Sequence, residues 1–384
     1  MNLRICWLVI LMTSKPQFAG EKVKLSDLCS KGKSSLRQKD LLNDGPYLVY
    51  GASGVIGTMS CYQNEEPYVA VVKDGAGVGR VMACKGKSSV LGTMQALLPS
   101  KNVDLNYLLH LVRSLKLGDD FSGSTIPHIY FRDYGEREVP AIAIKQQIMI
   151  AGVLDKIEMM LARLDMTLKK QDQLVKSRFV EMFGDPCLTD RSLLPKKPLH
   201  SFCELKIGPF GSLLHKEDYV SGGFPVVNPS HIVDGRIRTD SDLTINAAKY
   251  REMESYQLFK GDVVLGRRGE IGRCAVVDEE GLLCGTGSMI LRPEPSLCRS
   301  DYLQRVISFP SFAAALEKEA VGVTMKNLNV KIIGSAVVSL PPLSLQEEFA
   351  DFVAQVDKSG FAVRQQIEKL QLLYDSLAQE YFGD

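Results

Sequence analysis

Along two stretches of this chain, positions at alternating steps of four and three are mostly apolar, eight of ten in the first and nine of ten apolar or aromatic in the second. The first stretch runs Ile150, Leu154, Ile157, Leu161, Leu164, Leu168, Gln171, Val175, Arg178, Met182. The second runs Phe349, Val353, Val356, Gly360, Val363, Ile367, Leu370, Tyr374, Leu377, Tyr381. A sustained heptad of this kind marks a helix that packs along a partner helix. One such helix alone is unstable in water, and the economical partner of each is the other. The alternative is that each packs on its own globular half. Pro140 precedes the first stretch, and Pro341 and Pro342 the second. Ser344 with Glu347 predicts a capping box. Gly184 and Gly383 stand where a left-handed cap ends a helix, and Pro186 blocks continuation. Each helix is expected to span about 35–38 residues, roughly 50–57 Å at ~1.5 Å per residue.

Phe-Gly-Asp closes both stretches, at 183–185 and 382–384, and the repetition extends upstream. VGRVMACKGKSSVLGT (78–93) aligns without a gap with IGRCAVVDEEGLLCGT (271–286). GSTIPHI (123–129) aligns with GVTMKNL (322–328), and VPAIAIKQQ (139–147) with LPPLSLQEE (340–348). The order is constant, so the chain reads as domain, helix, domain, helix. Short Val-rich runs bounded by glycine and aspartate (EPYVAVVKDG, GRVMACKG, GDVVLGRRG, GRCAVVDEEG) predict strands. LNYLLHLVRSL and DYLQRVISFPSFAAAL predict short helices. The expected fold class is α+β, with two pseudo-symmetric domains, each built on a curved, mostly antiparallel sheet, joined by two long antiparallel coiled-coil helices. The expected segments are an extension (1–20), a first domain (21–140), a central helix (141–185), a proline-bearing linker (186–200), a second domain (201–341) and a closing helix (342–384).

Composition narrows the partners. Among 384 residues, 46 are basic and 45 acidic, so a polyanion can be met only by local patches. Nine cysteines with no C-x-x-C pair argue against a disulfide framework and against zinc. The opening MNLRICWLVILMTSKPQFAG has a basic lead and an apolar run from Ile5 to Met12, faintly like a secretory signal, but no A-x-A cleavage site. Its apolar run is about half of what spans a bilayer. No membrane segment is expected, and a cytoplasmic location is.

Reaction chemistry is missing. There is no phosphate-cradling G-x-x-x-x-G-K-[ST]. GASGVIG (51–57) and DGAGVGR (74–80) read as turns, and Ser53 fails the nucleophile-elbow pattern because Val55 replaces its second glycine. The five histidines, at 110, 128, 200, 215 and 231, show no metal-binding spacing. No catalytic residue, metal or cofactor is therefore expected in this chain.

What remains is basic and polar groups beside turns, where lysine and arginine can meet phosphates and Arg, Asn, Ser and His can read base edges. In the first half the candidates are Tyr50, Ser53, Lys73, Arg80, His128 and Arg132. In the second they are Lys206, Ser212, His215, Lys216, Asn228 and Ser230, with Arg267, Arg268, Lys326 and Asn327.

The stretch LKIGPFGSLLHKEDYVSGGFPVVNPSHIVDGRI (205–237) resembles the opening of a target recognition domain in type I restriction–modification specificity subunits. YLVYGASGVIGT (47–58), GSTIPHIYFRDY (123–134), EMFGDP (181–186) and LPPLSLQEEFADFVAQVDK (340–358) carry the same resemblance, which covers nearly all of residues 21–384. The first copy departs from the pattern, with PAIAIKQQ where Pro-Pro-Leu is usual. The resemblance implies a non-catalytic subunit that reads an asymmetric, bipartite target in double-stranded DNA. It implies two methyltransferase subunits docked along the helices and restriction subunits joining them. S-adenosylmethionine, ATP and magnesium would be used by those partners. The alternative is a coiled-coil scaffold or adhesin that binds no DNA; a stand-alone enzyme is a third reading.

Overall fold

The computed structural model describes residues 21–123, 126–187, 194–211, 213–320, 322 and 327–383. The secretory-like opening lies outside them. The chain forms two compact units, Met1–Thr167 with Val363–Asp384, and Leu168–Ala362.

Unit 1 is built on four strands, β1 (Cys29–Lys31), β2 (Tyr68–Val72), β3 (Val81–Cys84) and β4 (Met94–Pro99), in the order β1-β4-β2-β3. All neighbours are antiparallel. The run YVAVV is buried at every position, as a Val-rich strand covered on both faces must be. A three-stranded sheet of Tyr47–Gly51, Gly54–Met59 and Ser89–Val90 lies alongside in sequence, its Tyr47–Gly51 strand parallel to Ser89–Val90. Helix α1 (Leu105–Ser114) starts at Asp104, whose carboxylate accepts from the Tyr107 amide at 2.9 Å. Strand Glu21–Lys24 pairs with Glu138–Ala141, closing the domain before α2 (Ile144–Phe183) leaves it.

Unit 2 repeats the plan. Strands β5 (Cys203–Ile207), β6 (Val263–Gly266), β7 (Cys274–Val276) and β8 (Ser288–Pro293) lie in the order β5-β8-β6-β7, again antiparallel. A five-stranded sheet accompanies them. Helix α3 (Ser300–Ser308) stops at Phe309, whose ψ is 132°, and a new helix starts at Pro310. The stretch DYLQRVISFPSFAAAL is thus two helices, because proline disfavours helical geometry in the residue before it. Strand Lys196–Pro198 pairs with Val337–Ser339 ahead of α4 (Leu343–Phe382). The expected linker 186–200 therefore ends inside the domain, with Leu199 fully buried; its residues 188–193 lie outside the described ones.

The two long helices have 40 residues each, slightly more than expected. None of the heptad positions named above is exposed. In unit 1, Ile150, Leu154 and Ile157 of α2 share a core with Leu377 and Phe382 of α4 and with Val69, Leu97 and Tyr107. In unit 2, Val175, Phe179 and Phe183 of α2 share a core with Phe349 of α4 and with Leu265 and Tyr302. There Gln171 donates to Ser359 at 3.0 Å and Arg178 to Glu348 at 2.8 Å, so the pair runs antiparallel. The helices pack on each other and on the globular cores, so the two packing schemes coexist.

The recurring Phe-Gly-Asp has a matching role at each end. Phe183 meets Tyr302 edge to face at 5.0 Å, and Phe382 meets Tyr107 in the same way at 5.5 Å. Tyr302 and Tyr107 hold corresponding places in α3 and α1, and their hydroxyls donate to the Ser339 and Pro140 carbonyls. Gly184, with φ 77°, closes α2 in the left-handed conformation that the sequence suggested, whereas Gly383 follows α4 without a positive φ, so the expected left-handed cap forms at one helix end and not at the other.

The capping box does not form, because Ser344 lies within the first turn of α4. A buried glutamine does the work instead. Gln346 accepts from the Arg299 amide at 2.8 Å and donates to the Leu297 and Pro341 carbonyls. Gln147 accepts from the Asp104 amide at 2.8 Å and donates to Asn102 and Ile142. Gln147 therefore corresponds to Gln346, and IAIKQQ to PPLSLQ, two residues away from the alignment that the prolines suggested. Each glutamine ties the start of a long helix to the start of a short one.

Removing either side chain strands an amide and two carbonyls in the interior. Gln147→Ala and Gln346→Ala are each expected to lower stability by about 1–3 kcal/mol. Urea unfolding of the single and double variants checks this; the losses should add, because the sites share no partner. A loss below about 0.5 kcal/mol for both would contradict the clamp.

Candidate nucleic-acid interface

The end of each four-stranded sheet is built by the same set of backbone hydrogen bonds. In unit 1, the Lys73 amide donates to the Thr93 carbonyl and the Ile129 amide to the Lys73 carbonyl, both at 3.0 Å. In unit 2, the Arg267 amide donates to Gly287 at 3.0 Å and the Leu328 amide to Arg267 at 2.9 Å. Isolated bridges pair Asp74 with His128 and Arg268 with Asn327. One frame thus carries Lys73, Asp74 and His128; its counterpart carries Arg267, Arg268 and Asn327. The equivalence of His128 with Asn327 is the one the sequence alignment gave. Its G-T pairing is shifted by one: Met94 bonds back to Leu91 as Ser288 does to Gly285, so Thr93 corresponds to Gly287. The turn between Val276 and Leu282 is one residue longer than that between Cys84 and Ser89, which absorbs the shift.

In unit 1, His128 Nδ1 lies 2.7 Å from Asp74 Oδ1. The His128 ring stacks on Tyr130, and the Arg132 guanidinium lies 4.8 Å from the Tyr130 ring centre. Arg80 is exposed and forms no ion pair with a described residue. Gly77 lies between the Arg80 side chain and Ala52, at the hairpin tip that exposes Ser53. Lys73, Arg80, Ser53 and His128 therefore sit on connected loops, with Arg132 in the short helix Phe131–Tyr134 that follows His128. Tyr50 does not join them: it is a core residue whose hydroxyl accepts from the Lys85 amide.

In unit 2, glycines let the loops close on one another. A Cβ on Gly285 would fall 2.2 Å from Asn228 Oδ1, and one on Gly287 would fall 2.9 Å from Pro229. Asn228 and exposed Ser230 thereby flank the Arg267 frame. Arg267 is only 8% exposed, and its Nε donates to Asn327 Oδ1 at 3.0 Å. Burial first, and then Arg268, pushes its pKa below the ordinary arginine value. Lys206 is engaged elsewhere, over the Tyr256 ring at 5.0 Å. His215 and Lys216 are exposed on the turn before strand Tyr219–Val220, in the second sheet. Ser212 and Lys326 lie outside the described residues.

Sequence reasoning missed Asp74, which it took for part of a glycine turn, and a polar network in unit 1. Buried His110 of α1 lies 2.8 Å from Asp155 through Nε2 and 2.9 Å from the Tyr374 hydroxyl through Nδ1. Glu158 beside it pairs with Arg113. Burial, with the Glu158 charge second, pushes Tyr374 up to about 12. The His110, Asp155 and Glu158 ligand atoms lie within 4.8 Å of one another. His110 would have to give up one of its two hydrogen bonds, and Glu158 its pairing with Arg113, for a metal to bind, so this ligand set is already engaged within the protein. A cleft of about 1050 Å³ is lined by Asp262, Arg292 and Phe259 among others. Arg292 clamps Asp262 with two hydrogen bonds at 2.7 and 2.8 Å and stacks on Phe259, so its charge is already spent. Neither arrangement assembles a nucleophile with a base. The buried thiols of Cys29, Cys84, Cys203, Cys274 and Cys298 are pushed up to about 12 by burial, which leaves them unreactive.

Residues 196–371 match the family described as the type I restriction modification DNA specificity domain. No curated protein matches the chain. Among solved structures, the S subunit of the type I restriction–modification system from M. genitalium is 16% identical, with 96% of this chain and 98% of that one covered at TM-score 0.58. A chain solved in work on complex assembly and conformational transition of the type I R-M system is 15% identical, with 94% and 98% covered at TM-score 0.57. At such identities the likeness is one of fold. No helix among the described residues is long and apolar enough to cross a membrane.

The polar network gives a direct test. His110→Ala removes the buried ring and its hydrogen bonds to the Tyr374 hydroxyl and to part-exposed Asp155, which keeps Asn106 as a partner, and is expected to cost about 1–3 kcal/mol. Zinc added to the unaltered chain should leave the melting temperature unchanged, because the ligand set found among the described residues is engaged by Tyr374 and Arg113. A zinc-dependent rise that His110→Ala abolishes would reverse the assignment.

Proposed function

We infer that this chain, whose residues 196–371 belong to the type I restriction modification DNA specificity domain family and whose fold is that of type I S subunits, reads an asymmetric bipartite DNA target. A role in DNA sequence specificity follows from the family; two unlike half-sites are the finer reading. The observation that carries it is the duplicated frame. Equivalent backbone positions hold Lys73, Asp74 and His128 in one unit and Arg267, Arg268 and Asn327 in the other. Like frames with unlike side chains suit two half-sites of different sequence.

The paired helices act as the spacer. At about 1.5 Å per residue, 40 residues span roughly 60 Å, enough to leave several base pairs unread between half-sites. Exposed lysines and arginines such as Arg80, Lys216 and Arg268 set register on phosphates and bring salt dependence. The chain is non-catalytic and works in the cytoplasm. Methylation and cleavage belong to two methyltransferase subunits and to restriction subunits. Ile148, Met159 and Met166 are exposed along one face of α2 and offer a docking surface for the methyltransferase. The helix pair with no DNA-reading role, the scaffold alternative, leaves the duplicated polar frames without a purpose.

Removing one heptad from both long helices should shorten the unread gap by about three base pairs, from ~1.5 Å per residue against ~3.4 Å per base pair, with both half-sequences kept. Mapping methylated bases in DNA from cells carrying the variant subunit reads this out. An altered half-sequence would overturn the modular reading.

A further inference from the structure

Arg267 is out of place by ordinary rules. It is more than nine-tenths buried, yet no carboxylate among the described residues pairs with it. Its neighbour in sequence is another arginine, exposed Arg268. Elsewhere in the same unit the contrasting case is present: Arg292, also at a strand of the four-stranded sheet, is clamped by buried Asp262. A buried cation without an anion is costly, and one kept that way beside a like charge answers to something that arrives from outside.

Its geometry narrows what arrives. The Arg267 backbone is fixed on both sides, to Gly287 and to Leu328. Its Nε is spent on Asn327 Oδ1, which sets the plane of the guanidinium. No hydrogen bond joins its two Nη atoms to a described residue. A planar pair of donors held in one orientation matches two acceptors side by side, the O6 and N7 edge of guanine. A phosphate needs no such fixing, and exposed Arg268 is free to take it.

We propose that Arg267 demands a guanine in the half-site read by unit 2, with Asn327 as its positioning residue. This rests on the reading of the chain as a DNA specificity subunit. Unit 1 has no equivalent: its frame carries Lys73, whose single ammonium cannot form the fork, and Asp74, held by His128. The guanine requirement is therefore confined to one half of the target.

The test is selection of bound duplexes from a randomised pool by the full chain, followed by sequencing. The unaltered chain should select a bipartite sequence with one fixed guanine in the second half-site. Arg267→Ala should lose the preference at that guanine by on the order of 10- to 100-fold and keep every other position. Arg267→Lys keeps the charge and should lose it too. Asn327→Ala should weaken the same preference in part, and Arg268→Ala should weaken all sequences alike. Arg267→Met should melt no lower than the unaltered chain, since it removes an uncompensated charge; a structural arginine would give a lower melting temperature. Uniform weakening by Arg267→Ala would make this residue a phosphate contact, and an unchanged guanine preference would also overturn the proposal. If the unaltered chain selects no sequence, the specificity-subunit reading itself falls.

Discussion

The burial of each long helix's last aromatic residue against the other repeat's tyrosine is the contact on which the architecture depends. Phe183 closes the first repeat but lies in the core around Tyr302, and Phe382 closes the second but lies in the core around Tyr107. Each compact unit is therefore made from both ends of the chain's duplication. An edge-to-face aromatic pair adds only about 0.5–1.5 kcal/mol beyond its buried area. Its importance lies in placement: it joins the end of a 40-residue helix to a core that the helix did not start from. The glutamine clamps act at the opposite ends, where a misplaced start would turn the heptad face away from its partner.

This exchange explains why the duplication remains legible while the two surfaces differ. The residues that make it are packed from several sides, so any change there disturbs both a helix end and a sheet. Residues at the sheet end carry no such burden. The frame there is backbone hydrogen bonding, which any side chain permits, so Lys73 and Arg267, or His128 and Asn327, can stand at equivalent places. The proposed reading of DNA calls for this division, with a scaffold indifferent to the target and a rim free to vary.

Polar interiors distinguish the halves as well. Unit 1 seats α1 on both long helices through His110, Asp155 and Tyr374; unit 2 fills the corresponding seam with Val175, Phe179 and Phe349. Both solutions are satisfied internally, whereas Arg267 is not. That contrast, rather than basic charge in general, sets Arg267 apart from clamped Arg292.

The amino-acid sequence alone determined the helices, their heptad faces, the left-handed glycine end of α2 and the order of the repeated motifs. These are local in origin: periodicity, a left-handed cap and a Val-rich run act within a few residues. It also supplied Lys73, His128, Arg267 and Asn327 as polar groups near turns. Tertiary structure alone decided that Tyr50 is core, that Lys206 is taken by Tyr256, that Gln147 answers Gln346 across a two-residue shift, and that Arg267 is buried without an anion. Each of those facts depends on strands far apart in sequence meeting at one sheet end, and no periodicity along the chain encodes which loops will meet.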